Sequence, residues 1–168
     1  MTDEEKRILS DVRLGKAREN LTAGRNLISS GDYRIAATRT YYAIFHAMRA
    51  VLALDGIDQK RHSGIISEFR QRYIKTRLIP KSQSDTISKL SNLRTDSDYD
   101  DFFIVSKDEV QEALEQAEAF VRIVSDFLAW DPDFTKVTKA EAERIARAEA
   151  SGYVDGSEID WNDLSAFA

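Results

Sequence analysis

The sequence contains no cysteine, only two prolines and only seven glycines. The missing cysteine excludes disulfides, a cysteine nucleophile and thiolate metal ligands, and it fits a reducing cytoplasm. The scarcity of proline and glycine leaves long stretches in which a helix can continue without interruption. No run approaches the roughly 18 apolar residues of a membrane span, and the charged first residues lack the apolar core of a signal peptide. We therefore expect a cytoplasmic protein without membrane contact.

The acidic and basic residues are unevenly distributed along the chain. The net charge is −5, yet residues 1–130 hold 20 Lys/Arg and 20 Asp/Glu, so the excess of acid belongs to residues 131–168 with 4 and 9. Residues 60–81, in contrast, contain seven basic side chains and one acidic side chain. This stretch is either a solvated helix face or a basic surface for a phosphate backbone. The residues of that predicted surface are Lys60, Arg61, Arg70, Arg72, Lys75 and Arg77.

The spacing of apolar residues predicts an all-α protein, an up-and-down bundle of four to five helices. The predicted helices cover residues 3–29, 33–54, 63–75 and 82–95, and a fifth runs from a capping box at Ser106 and Glu109 to about 130. In the first helix, Val12 and its apolar neighbours recur at roughly helical spacing. Residues 95–103 are polar and acidic, and they predict a loop.

Asp131-Pro132-Asp133 ends the fifth helix and marks the predicted boundary between a bundle over 1–130 and an acidic extension over 131–168. We expect a short helix at about 139–150 and irregular structure after it. The extension carries aromatic residues among its acids, which fits docking on a partner, docking on the basic surface, or packing on its own bundle.

The second helix carries the stretch around which the chain is organised. Arg39, Tyr42, His46 and Arg49 recur at helical spacing and share one stripe. An adjacent apolar face is formed by Tyr41, Ile44, Met48, Val51 and Leu52. One face of this helix can therefore pack in the core while its neighbour presents an arginine, a histidine and a tyrosine.

These residue types suit cleavage of RNA without a metal. Such a reaction needs a group that moves protons at the ribose 2′-hydroxyl and at the leaving oxygen, and a cation that stabilises the phosphate. His46 fits the first role because the ordinary pKa of histidine is near 6.5, and Arg39 fits the second through its bidentate guanidinium. Tyr42 could hold a phosphate or stack on a base. The structural alternative is that Arg39 pairs with a carboxylate and His46 is a hydrogen-bonded, half-buried side chain.

Other residues offer weaker signals. His62 follows two basic residues at a predicted helix start, which is a natural anion site. Arg94 and Asp98 are possible partners near the same groove. The acids at 96–101 resemble a calcium loop but lack its glycine and distal glutamate, and there is no zinc spacing and no glycine-rich phosphate loop. We expect no metal and no cofactor.

Three blocks of sequence, in this order, resemble the HEPN superfamily (higher eukaryotes and prokaryotes nucleotide-binding). The blocks are SGDYRIAATRTYYAIFHAMRAVL, KRHSGIISEFRQRYIKT and LRTDSDYDDF, and the resemblance covers about residues 5–130. It implies a helical bundle that homodimerises and, in many members, a metal-independent ribonuclease of toxin–antitoxin or phage-defence type. The hallmark of those enzymes is an arginine, four to six residues and a histidine, with two copies meeting at the dimer interface. Arg39 and His46 enclose six residues.

One departure from the family pattern leaves two interpretations open. In the well-studied ribonucleases the motif lies on a later helix, near the positions of Arg94, Asp98 and Tyr99, but no histidine follows Arg94 here. Either the site has moved to the second helix, with Tyr42, Arg49, His62, Arg94, Asp98 and Tyr99 in support, or cleavage has been lost. In the second case the resemblance implies a nucleotide- or partner-binding module that works with a minimal nucleotidyltransferase or an antitoxin.

Overall fold

The computed structural model describes residues 1–59, 61–100 and 102–129. These residues form five α-helices and contain no strand, which confirms the all-α bundle. The helices are α1 (Asp3–Ser30), α2 (Tyr33–Leu54), α3 (His62–Phe69), α4 (Gln83–Tyr99) and α5 (Lys107–Ala129), with a π-helical turn at Arg70–Ile74. Within the described ranges, no helix combines the length and the apolar character that a membrane span requires.

The first two helices form a tight antiparallel hairpin. Thr2 caps α1 with a complete capping box, in which its hydroxyl accepts from the backbone N–H of Glu5 and the Glu5 carboxylate accepts from the Thr2 backbone. Gly31 ends α1 in the left-handed region, with φ of 85°, which a glycine adopts without steric cost. Val12 of this helix is half exposed, although Arg13 and Leu14 beside it are buried.

Helix α2 is the central element of the bundle. It contacts α1, α3, α4 and α5, and most of its residues are buried. All five residues of its predicted apolar face are buried: Tyr41, Ile44, Met48, Val51 and Leu52. Small residues at Ala36, Ala43, Ala47 and Ala50 allow the neighbouring backbones to approach closely. Because α2 packs against four other helices, the backbone that carries its polar stripe is held in place.

The predicted helix at 63–75 is divided in the structure. Helix α3 ends at Phe69, and the chain widens into the π-helical turn before it stops near Lys75. The turn buries Tyr73, whose hydroxyl donates to Oδ2 of Asp55 at 2.8 Å. Ile79, in the predicted loop before Pro80, is also fully buried. The extra residue of the π turn lets Tyr73 and Ile74 both reach the core.

Helix α4 is longer than the sequence predicts, and the loop predicted at 95–103 is wrong for its first half. The helix continues to Tyr99 and ends there, because the backbone of Asp100 is extended. One of its acidic side chains has partners: Asp98 forms an ion pair with Arg94 and accepts a hydrogen bond from the Thr38 hydroxyl of α2. Ser97 is fully buried against α2. Contacts with α2 therefore stabilise a segment whose composition alone favours a loop.

Helix α5 begins at the predicted capping box. The Ser106 hydroxyl accepts from the backbone N–H of Glu109, and the Glu109 carboxylate accepts from the Ser106 backbone. One apolar stripe of α5 packs against α1, α2 and α4. The helix is described to Ala129, one residue short of its predicted end. The predicted acidic extension at 131–168, with its short helix at 139–150, lies outside the described residues.

Candidate functional site

A groove of about 350 Å³ lies between α2 and α4, and Arg39 is at its edge. Its lining, which defines the α2–α4 groove, consists of Arg34, Ile35, Thr38, Arg39, Tyr42, Ser97 and Asp98. Arg39 is exposed, and among the described residues it has no hydrogen-bond or ion-pair partner. Its guanidinium is therefore available to an anion that enters the groove.

Three hydrogen bonds from two side chains of α2 hold the walls of this groove together. The Arg34 guanidinium donates to the backbone carbonyl of Ser97 and, at 3.2 Å, to that of Asp100, so it satisfies the free carbonyls at the end of α4. The Thr38 hydroxyl donates to Oδ1 of Asp98 at 2.7 Å. Sequence reasoning missed Arg34. The only signal for it was a position one turn before Thr38 on the same helix.

Arg94 lies on the α4 side of the site, between two aromatic rings. Its guanidinium carbon is 5.9 Å from the ring centroid of Tyr41 and 5.4 Å from that of Tyr99. Its Nε is 2.8 Å from Oδ2 of Asp98, close enough for an ion pair although the N–H is not aimed at that oxygen. The predicted partnership of Arg94 and Asp98 is present, and it leaves Arg94 partly neutralised.

His46 is half-buried beside the rings of Tyr42 and Phe45, at centroid distances of 6.3 and 5.9 Å. Its Nδ1 is buried and has no hydrogen-bond partner, so the accessible side of the imidazole carries Nε2. Burial lowers the pKa of His46 to about 4, and the nearby cations Arg49, Lys16 and Arg13, together with His62, add to the effect. The imidazole is therefore neutral at physiological pH and can accept a proton.

His62, the first residue of α3, reaches the same two rings from the other side. Its ring stacks on Phe45 with a centroid distance of 4.1 Å and an interplanar angle of 13°, and it meets Tyr42 edge-on at 5.8 Å. The hydroxyl of Tyr41 is 3.1 Å from Nδ1 of His62. Burial lowers the pKa of His62, and Arg94 and Arg49 lower it further. We call Tyr42, Phe45, His46 and His62 the histidine cluster.

Arg49 links this cluster to an ion-pair network, and its guanidinium carbon lies 6.0 Å from the centroid of the Phe45 ring. Its Nη2 donates to Oδ1 of Asp58 at 2.8 Å, and the same oxygen accepts from Arg13 at 2.6 Å. Arg13 is only 4% exposed and also donates to the backbone carbonyl of Arg49. These bonds hold the pKa of Asp58 below its ordinary value. Arg49 is thus committed to a carboxylate, and sequence reasoning missed both Arg13 and Asp58 because their partners are distant in sequence.

The predicted basic surface does not form one uniform patch. Arg72 is paired with Glu68 at 2.9 Å and lies 3.8 Å from Asp55, so its charge is compensated. Arg70 donates to the Ser84 carbonyl and to the Ser88 hydroxyl. Arg70 and Lys75 line an open groove of about 710 Å³, while Arg61 and Arg77 are exposed and Lys60 lies outside the described residues.

The structure brings some predicted residues together and keeps others apart. Tyr42 belongs both to the lining of the α2–α4 groove and to the histidine cluster, and so connects the two. Arg39 and His46 lie on the same stripe but about 10.5 Å apart along the axis, because seven residues rise about 1.5 Å each. No group of three or more histidine or acidic side chains that could hold a metal ion occurs in the ranges the structure describes.

Comparison with known proteins agrees with this architecture. The family model of the HEPN domain matches residues 10–127. A Methanocaldococcus jannaschii protein named Putative toxin MJ0142 is 31% identical over 113 residues, which cover 67% of this chain and 77% of that protein. A second protein of the same organism, Putative toxin MJ0605, is 34% identical over 62% of this chain and 78% of its own length. A Thermotoga maritima protein named UPF0332 protein is 25% identical over 67% of this chain and 86% of its own length.

Proposed function

The chain belongs to the HEPN domain family, and on this basis we propose that it is a metal-independent endoribonuclease of toxin–antitoxin or phage-defence type. One observation carries the proposal. Arg39 lines the α2–α4 groove and has no ion-pair partner among the described residues. Tyr42, in the wall of the same groove, also contacts the neutral imidazole of His46. The two relatives named as toxins support the biological role and an antitoxin as partner.

In the proposed reaction, Arg39 binds the scissile phosphate and stabilises the charge that develops on it. His46 accepts the proton of the ribose 2′-hydroxyl through Nε2. The 2′-oxygen then attacks the adjacent phosphorus, so the products carry a 2′,3′-cyclic phosphate and a free 5′-hydroxyl. No water nucleophile is needed, and so the reaction requires no metal to activate one.

We propose that the active unit is a homodimer. The axial separation of Arg39 and His46 is long for two groups that act on one phosphate, even with a flexible arginine. In a two-fold symmetric interface the same surface of both protomers is in contact. If the polar stripe of α2 forms this surface, Arg39 of one protomer can lie near the His46 position of the other protomer.

The proposal is tested by incubating the purified protein with labelled tRNA and mRNA in EDTA. Wild type is compared with Arg39→Ala, His46→Ala and, as a matched control, Arg122→Ala, an exposed arginine of α5 that does not line the groove. We expect cleavage by wild type and by the control, and a loss of at least about 100-fold in the other two variants. Full activity of His46→Ala would contradict the assignment.

A second candidate function is a non-catalytic module that binds a nucleotide, a nucleotidyltransferase or an antitoxin. The low pKa of His46 favours this binding role, because a base with a pKa near 4 is weak. The carboxylate of Asp98 on the groove wall favours it as well, because it repels a phosphate. Failure of purified wild type to cleave any RNA, together with retained binding of a nucleotide or of the protein encoded by a neighbouring gene, would favour this module.

A further inference from the structure

The chain contains only two histidines, and both belong to one cluster although 16 positions separate them in sequence. Phe45 lies between them, with ring-centroid distances of 5.9 Å to His46 and 4.1 Å to His62. The two imidazoles are therefore at most 10.0 Å apart, the sum of these distances. They come from different elements, α2 and the first turn of α3, so packing of α3 on α2 creates the pair.

We propose that His62 is a second catalytic residue of the ribonuclease reaction, the general acid that protonates the leaving 5′-oxygen while His46 acts as the base. This inference rests on the proposed function. It assigns to one protomer both of the proton-transfer groups that cleavage by transesterification requires.

The surroundings of His62 hold its ring in one orientation. Stacking on Phe45 sets the plane of the imidazole, and the contact of Nδ1 with the Tyr41 hydroxyl sets its rotation. Tyr41 itself is 2% exposed, and burial raises its pKa, so the phenol keeps its proton and remains a neutral partner. Nε2 is left as the nitrogen of His62 that can reach a substrate, since Nδ1 is already engaged.

Both histidines face cations, and they differ in how far the pKa of each is lowered. His46 is deeply desolvated and faces Arg49, Lys16 and Arg13, which keep it neutral and fit it to be the base. His62 contacts the phenol rings of Tyr41 and Tyr42, and burial, Arg94 and Arg49 lower its pKa as well, but less than that of His46, so His62 is the more readily protonated of the two. Its imidazolium can donate Nδ1–H to the Tyr41 oxygen, a bond that supports the protonated form. A bound phosphate would add a negative charge beside it and favour that form further.

The proposed step balances in protons and electron pairs. His46 takes the proton from the 2′-hydroxyl, and the 2′-oxygen forms a bond to phosphorus with its freed electron pair. The bond from phosphorus to the 5′-oxygen breaks, and that oxygen takes the proton of His62. His46 ends protonated and His62 neutral, and exchange of one proton with water at each ring restores the starting state.

The experiment compares two substrates that differ in their leaving group. Uridylyl-adenosine leaves through an alkoxide that needs a proton, whereas uridine 3′-(4-nitrophenyl phosphate) leaves through a phenolate that does not. We expect His62→Gln to lose about 100- to 10,000-fold on the first substrate and at most about tenfold on the second. His46→Gln should lose comparably on both, and Arg122→Gln, a control on α5, on neither.

Tyr41→Phe provides a second, milder variant that keeps the ring and removes only the partner of Nδ1. We expect it to reduce cleavage of uridylyl-adenosine alone and to shift the alkaline limb of its pH profile. Thermal unfolding of each variant confirms that the fold is retained.

The outcomes separate the two proposals. Equal losses of His62→Gln on both substrates would mean a structural role and would overturn the acid assignment, as would full activity on uridylyl-adenosine. If Arg39→Ala and His46→Ala still abolish cleavage in either case, the proposed ribonuclease function stands. If wild type cleaves neither substrate and no RNA, the function and the role of His62 are both refuted.

Discussion

Lowering the pH from 7 to 4.5 should destabilise this protein through His46 before most of its carboxylates are protonated. The folded state holds the pKa of His46 at about 4, whereas the unfolded chain has the ordinary value near 6.5. Between these two values the unfolded state binds more protons than the folded state. The free energy of unfolding therefore falls as the pH decreases through this window, and the contribution is fully present above about 6.5.

The shift in the pKa of His46 sets how much the free energy of unfolding falls with pH. Since one pKa unit corresponds to about 1.4 kcal/mol, the window of two units from 6.5 to 4.5 gives a ceiling of about 2.8 kcal/mol. His46 is half-buried and solvent screens part of its interaction with the cations around it, so we expect about 1–2 kcal/mol. Arg49, the cation with the largest effect on His46, is partly neutralised by Asp58, and we therefore expect the lower part of this range.

The assay is urea denaturation followed by circular dichroism at pH 7, 6, 5 and 4.5, for wild type and His46→Gln. Wild type should lose stability relative to His46→Gln as the pH falls, because the glutamine does not titrate. Parallel curves across the window would refute the reasoning and would show that His46 is protonated alike in both states. His62→Gln provides a comparison, since burial lowers its pKa in the same direction. The chain has only these two histidines, so NMR titration can follow each imidazole separately.

Two further predictions concern the helices themselves. Gly24→Ala should destabilise by about 1 kcal/mol, because the new methyl group would lie 3.2 Å from Oγ1 of Thr40, whereas Gly15→Ala, with nothing within 4 Å, should stabilise by about 0.5–1 kcal/mol. In thermal unfolding, the midpoint temperature of Gly15→Ala should therefore lie above that of Gly24→Ala. The reverse order would contradict the packing of α1 on α2. Ser106→Ala should cost about 1 kcal/mol through loss of the α5 cap, and urea unfolding at neutral pH measures it. An unchanged midpoint would mean that packing alone holds the first turn of α5.

Much of the fold could be predicted because its signals are local. The capping box at Ser106 and the left-handed stop at Gly31 act within a few residues, and the apolar spacing of α2 identifies its buried face. The prediction failed where a distant partner overrides local preference. The end of α4 stays helical because Thr38 and Arg34, about 60 residues earlier, hold its side chains and carbonyls.

The candidate site divides in the same way. Arg39, Tyr42 and His46 could be chosen from the sequence because helical spacing alone places them on one stripe. Which arginine of this stripe is free could not be predicted: Arg39 is without a partner among the described residues, whereas Arg49 is paired with Asp58. Whether a charge is free depends on which carboxylate the fold brings within about 4 Å, and that distance is independent of separation along the chain.

The sequence by itself determined the helical class, the polar stripe of α2 and the apolar face beside it, because backbone geometry alone relates residues three to four positions apart. Tertiary structure alone decided that His62 meets His46 across Phe45, and that burial and converging cations hold His46 neutral. Desolvation and electrostatic interaction depend on every group packed around a side chain, and those groups come from α1, α2 and α3 together.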